Sequence, residues 1–313
     1  MLRSIAVLAL ALFSGAALSQ SVPNPFAGLL PGTALNSSTI QRSQSLAPYP
    51  QFLLGTGTSN GIVEMFRPIG KSSYNSAQFL ASKRYSYGLM FTAAYTISKQ
   101  IDQTSFANPQ DTRLERVIAA WDVPQNLQIN LRYELPFGAG KPFGSSAPGV
   151  VRSVIGGWEV STLTRLQKGM PLSLVGSANT VVLGNPAISN PTLDQWFNTC
   201  TLLANGATRG CSSGQQPVWG VRQPNTLQTW SSLLTSVRKP GVHNVDISLI
   251  KHNRITERFD VLFRADFVNA FNSPQFYNGP ITDVNNSNFG RIAGAMDQSN
   301  LPRFVQLSMK LQF

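Results

Sequence analysis

The last ten residues alternate without a break. Val305, Leu307, Met309, Leu311 and Phe313 fall on one side, and Gln306, Ser308, Lys310 and Gln312 on the other. Period two is the signature of a β-strand with one apolar and one wet face. The pattern recurs along the chain. Residues 126–135 set Leu127, Ile129, Leu131, Tyr133 and Leu135 against Gln128, Asn130, Arg132 and Glu134. Residues 158–168, after Gly156-Gly157, turn Trp158, Val160, Thr162, Thr164 and Leu166 one way. Residues 74–84, 89–99, 243–251 and 258–271 alternate similarly, the last with Phe259, Val261, Phe263, Ala265 and Phe267 on one face. The pattern therefore predicts seven strands. Short turns are expected at Tyr85-Ser86-Tyr87-Gly88 and around Asn253.

The connections alternate in length. Those after the first and fifth strands are short, and that over 136–156 is moderate. Those after the second, fourth and sixth run roughly 25, 75 and 30 residues, the sorting of short periplasmic turns and long external loops in a bacterial outer-membrane barrel. One amphipathic strand also fits a soluble sandwich, but a sandwich has no reason to sort its loops. A buried core would also not leave Gln-Asn-Arg-Glu along a whole strand face. The expected fold is all-β: an antiparallel up-and-down outer-membrane β-barrel segment of about seven strands. Single-chain barrels mostly use even numbers, so an incomplete barrel is expected. Seven strands could close only a narrow barrel, and Arg84, Arg132, Glu134, Arg165 and Arg264 would crowd its interior. An open, curved sheet follows, needing further strands or another chain. Residues 20–70 read as irregular loop, 71–313 as the barrel portion, and 169–242 as one long polar external connection.

Composition sharpens this picture. Of 313 residues only 12% are charged, against a typical quarter. The net charge is +11, but Lys and Arg are scattered without a cluster or basic helix, which argues against nucleic acid. Residues 1–19 read as an export signal: Arg3, an apolar run from Ile5 to Phe13, and Ala17-Leu18-Ser19 as a small-x-small site. The same residues also fit a reading frame that starts inside a larger gene. Cys200 and Cys211 lie close together in a polar, Gly-rich stretch, with the two histidines, His243 and His252, remote in sequence. A local disulfide suits them better than a metal site and fits an oxidising compartment. Aromatic residues, among them Tyr74, Tyr133, Phe137, Trp158, Phe271 and Phe313, fall near strand ends. They suit a lipid–water interface or ordinary strand composition.

Several stretches, in order, resemble the carboxy-terminal part of Oar-like TonB-dependent receptors. They are Val22-Pro-Asn-Pro-Phe26, Leu46-Ala-Pro-Tyr-Pro-Gln-Phe52, Ser73-Tyr-Asn-Ser76, Tyr95-Thr-Ile-Ser-Lys-Gln-Ile-Asp102, Tyr133-Glu-Leu-Pro-Phe-Gly138, Gly156-Gly-Trp158, Phe267-Val-Asn-Ala-Phe271 and the final Phe313, the barrel-terminal signal. The resemblance implies a transporter of the Gram-negative outer membrane, with a plug, a regulatory domain and a barrel of about 22 strands. It implies outer-membrane lipid and the barrel-assembly machinery as partners. Neither plug, regulatory domain nor TonB box is recognisable here, so the expectation is a fragment supplying part of the wall. A structural or adhesive outer-membrane protein and a soluble secreted β-protein that binds ligand are the alternatives. No motif names a transported solute.

Enzyme chemistry is not expected. Gly70-Lys71-Ser72 has Met65 where a phosphate loop needs its first glycine, so it more simply opens a strand. No Gly-x-Ser-x-Gly elbow occurs, and two histidines with 14 scattered carboxylates give no metal or acid–base constellation. No cofactor is expected. Arg264 with Asp266, and Arg132 with Glu134, read either as a polar lining that touches solute or as an ion-pair ladder keeping charge away from lipid.

Overall fold

Seven antiparallel strands pair in sequence order: β1 (Lys71–Ser86), β2 (Leu89–Gln103), β3 (Gln125–Glu134), β4 (Trp158–Gln167), β5 (Val242–Arg254), β6 (Asp260–Val268) and β7 (Phe304–Gln312). These are features of a computed structural model, which describes residues 15–32, 34–46, 68–108, 111–175, 177, 179–223, 226–256, 259–276, 278–292 and 299–313. Residues 1–14 of the candidate export signal and 47–67 of the loop-like segment lie outside the described residues.

The register carries one face across the whole sheet. Lys83, Phe91, Leu131, Thr162, Ile247, Phe267 and Val305 are successive partners on the seven strands. One residue along, Met90, Arg132, Ser161, Ser248, Asp266 and Gln306 are partners on the opposite face. A slip of one residue in any ladder would exchange the faces, so the sequence pattern fixes the pairing. The path runs from β7 to β1 without returning: β1 and β7 each have one neighbour, and the sheet is open.

The turns differ slightly from expectation. β1 continues to Ser86, leaving a two-residue turn at Tyr87 (φ 53°) and Gly88 (φ 79°). Two left-handed residues match the twist of a hairpin, which shortens the turn from four residues to two. β5 runs past Asn253, which pairs with Val261, and the chain reverses where Ile255 N–H donates to Phe259 O at 2.9 Å.

The seven strands supply almost none of the buried core; only Glu159, Lys251 and Ala265 are buried among their described residues. The core sits elsewhere. Residues 169–242 do not form an irregular polar connection. Pro171–Ser173 pairs with Leu233–Arg238, and four short strands (Thr180–Val182, Thr201–Leu202, Thr208–Arg209, Trp219–Val221) form a second small sheet. Between them pack Leu172, Leu174, Phe197, Trp219 and Val237, joined by Val284 and Phe289 from the β6–β7 connection. The three rings lie 5.1–5.5 Å apart, two of the pairs edge-on. Full burial of such a side chain contributes roughly 1.5–3 kcal/mol, enough to organise a stretch rich in turn residues.

Residues 20–70 are also not irregular throughout. Ser21–Pro23 pairs with Thr39–Gln41, and the buried Asn24 side chain holds the intervening loop by donating to Leu35 O and Ser37 O. Leu18, Leu35 and Ile40 are buried there.

Candidate functional site

The connections 104–124, 168–241 and 269–303 emerge at one end of the sheet. The other end carries two tight turns and the connection 135–157, which is as long as the first of the three, so the alternation of short and long loops holds only in part. At the loop end the β2–β3 connection (104–124) is tied into the folded 169–242 segment. Asn108 Nδ2 donates to Gln228 O (3.0 Å), and Gln228 N–H returns a bond to Asn108 Oδ1 (2.6 Å). Both carboxylate oxygens of Glu115 accept from Ser232, and Asp122 accepts from Arg238 at 2.9 Å. Val117, Ile118 and Leu233 form a small apolar cluster beside them. The β6–β7 connection joins through Thr180 Oγ1, which donates to Thr282 O (2.6 Å), and through the Arg209 guanidinium on Val284 O. The three connections therefore form one cap at the loop end. These ties join residues about a hundred apart, so no local pattern marks them. The aromatic residues within polar stretches, Phe197, Trp219 and Phe289, were the only local signal of a folded unit.

Below the cap, the polar face presents hydroxyls, amides and mostly paired charges. Arg264 Nε reaches Asp266 Oδ1 at 2.7 Å, and Ser248 Oγ donates to the same oxygen at 2.5 Å. Asp246 Oδ1 accepts from Asn244 (3.0 Å) and from Asn269 N–H (2.8 Å). Arg264 and Asp266 thus come together, whereas Asp260, four residues before Arg264 on the same strand, lies in register with Arg254 and Gln312.

At the turn end, register sets Glu134 directly opposite Glu159. Like charges opposite one another destabilise a sheet. The neighbours resolve the conflict. Arg132 Nε lies 2.6 Å from Glu159 Oε1, a charge contact without hydrogen-bond alignment, while Glu134 takes Lys141 Nζ at 2.9 Å and the Tyr85 hydroxyl. Arg132 and Glu134 are therefore not partners of each other, as their spacing suggested; each pairs elsewhere. Met90 and His252 complete the recess they line. Most polar groups of this face are paired, but Asn126 Oδ1 and Glu159 Oε1 are buried without a hydrogen-bond partner.

The two cysteines sit within the cap. Cys200, fully buried, is joined to Cys211, 2.03 Å between sulfurs. Phe313 follows β7 at the turn end and is almost wholly exposed. Lys71 of the Gly-Lys-Ser stretch opens β1.

A family model described as outer membrane beta barrel domain matches residues 11–306. No curated protein matches the sequence. Among solved structures, the chain is similar to the outer membrane transporter YddB from Escherichia coli, at 9% identity and a TM-score of 0.30. The alignment covers 77% of this chain and spans 24% of that transporter.

Proposed function

This chain belongs to the outer membrane beta barrel domain family and resides in the cell outer membrane; on that footing we propose that it forms a wall segment and external cap of a TonB-dependent solute transporter. The observation that carries the proposal is the register, which aligns one mostly apolar and one mostly polar face across seven strands and gathers the three cap-forming connections at one end. Lipid then lies against Leu127, Ile129 and Leu131, and solute passes Gln128, Asn130 and Arg132. The motifs from Tyr95 to Phe271 support the TonB-dependent reading by resemblance. The exposed edges of β1 and β7 support completion of the wall by further strands of the same kind, or by another chain. Partners on this reading are outer-membrane lipid, the barrel-assembly machinery that reads Phe313, and those completing strands. The reading includes neither a catalytic step nor a cofactor. Energised import also needs a plug, and the described residues fold only as wall, cap and the small 15–46 unit.

The test is reconstitution of the purified chain in liposomes, with solute flux and heat-modifiable gel mobility as readouts. The chain alone should give no energised import and no compact, heat-modifiable monomer. Robust flux from such a monomer would show that seven strands suffice and would sink the wall-segment reading. The folded cap specifically favours a second reading, an adhesive outer-membrane protein that presents the cap outward. Retention of surface binding by the cap without any transport would decide for it.

A further inference from the structure

The connection between β3 and β4 is longer than a turn needs to be, and it is built rather than loose. Gly138 (φ 104°) lies so close to Gly156 that a Cβ on it would meet Gly156 Cα at 2.5 Å. Gly157 (φ 70°) lies against His252, whose carbonyl would be 2.3 Å from a Cβ there. Only glycine fits such contacts. They press a short helix, Gly149–Ile155, against the sheet.

The side on which it lies is fixed by two residues. Lys251 and Trp158 are partners in register and belong to the apolar face, in line with Phe263 and Met309. Lys251 is nevertheless buried: its ammonium donates to Ser153 O at 2.6 Å and to Gly156 O, and it sits 5.4 Å from the Trp158 ring centroid. The Trp158 indole donates to Val154 O at 2.9 Å. Both donors reach carbonyls of the helix's last turn, where a cation is also favoured by the backbone dipoles. The helix is thus fastened to the outside of the wall, at its turn end. There it turns Val150 (79% exposed) and Val154 (62% exposed) outward, four residues apart on one side, with Val151 beside them.

Taking the wall as part of a transporter barrel in the outer membrane, we propose that this helix is a lipid-binding foot that buries Val150, Val151 and Val154 in the periplasmic leaflet. The occupant is the lipid surface for two reasons. The valines continue the lipid-facing stripe without a break, through Trp158. Lys141 is taken by Glu134, but the helix carries the exposed Arg152 and the connection over 136–157 has no Asp or Glu, which suits anionic headgroups beside a shallow apolar insertion. The foot fixes the depth of the wall at its periplasmic rim, where Lys251 could not otherwise face lipid without heavy cost.

The full chain is assembled in nanodiscs of phosphatidylethanolamine, with and without phosphatidylglycerol, and a single environment-sensitive label is placed at each of three positions. Val154→Cys tests the foot, Leu307→Cys marks the lipid face, and Ala204→Cys marks the external cap. The label at 154 should lose iodide quenching, as at 307, and gain quenching by lipids with shallow nitroxides. Its protection should increase with phosphatidylglycerol, and Arg152→Gln should remove that increase. Iodide quenching at 154 equal to that at 204, with 307 protected, overturns the foot and leaves the wall standing. Iodide protection without lipid quenching means that protein covers the helix, and also overturns it. Exposure at 307 refutes the wall reading instead.

Discussion

Arginine at residue 129 tests the orientation of the wall most directly. Ile129 is the fifth of ten residues in β3 and lies in register with Ala93 and Thr164 on the apolar face. At about 3.3 Å per residue and a tilt near 40°, it sits roughly 11 Å from either strand end, near the middle of a ~25 Å apolar band. Ile129→Arg should therefore cost about 2–4 kcal/mol. Asn130→Arg makes the same chemical change one residue along, on the polar face. Its cost is limited to repulsion from Arg132, the next residue on that face, at about 0.2–1 kcal/mol. The two variants should differ by about 1–4 kcal/mol, a factor of five or more in the folding equilibrium. Urea titration of the chain assembled in phospholipid vesicles, followed by tryptophan fluorescence, reads that difference as a shift of midpoint at constant slope. Equal midpoints for the two variants, or a larger loss at 130, would refute the assignment of faces.

Three further outcomes follow from the polar contacts and the cap. Arg132→Ala removes the partner of the largely buried Glu159 while Glu134 still faces it, and should cost about 2–3 kcal/mol in the same titration, partly restored by lysine; no loss would mean that water already neutralises the recess. Asp122→Ala leaves Arg238 without its carboxylate and removes the acceptor for Gln100 N–H at 2.8 Å; hydrogen exchange should rise over 104–124 and 233–238 but not within β3 to β5, and uniform loosening would contradict a cap that folds as its own unit. Cys200 and Cys211 close a loop of sequence separation 11, so replacing both by serine should cost at most about 3 kcal/mol; mass spectrometry finding two free thiols in oxidised, exported protein would remove the basis for that effect.

The wall was legible in the sequence and the cap was not, for a physical reason. Each wall strand is nine residues or longer. Two solvents act on its two faces, so period two is written into it many times over. Cap strands such as Thr201–Leu202 are two or three residues long and too short to show a period. Their order comes from burial around Phe197, Trp219 and Phe289, which are far apart in the chain. The same limit explains Arg132. Spacing along β3 suggested Glu134 as its partner, but a strand's closest polar neighbours lie across the ladder, and Glu159 can be identified only once the register is known. The resemblance motifs gain a local cause as well: in the Gly156-Gly-Trp158 run one glycine lies against Gly138, the other against His252, and the tryptophan holds a helix.

The cap also sets an order of events. Its ties bridge 120 residues between Asn108 and Gln228, 116 between Asp122 and Arg238, and 102 between Thr180 and Thr282. Closing such loops costs little extra entropy per residue, but it rewards nothing until the intervening strands are in place. β3 and β4 lie between the ends of the first two ties, and β5 and β6 between those of the third, so these ties close only after the intervening strands have registered. Val284 and Phe289 then close last on a core whose other members all come from one connection. A variant with a correct wall and unmade ties between its loops should therefore exist as a discrete late species.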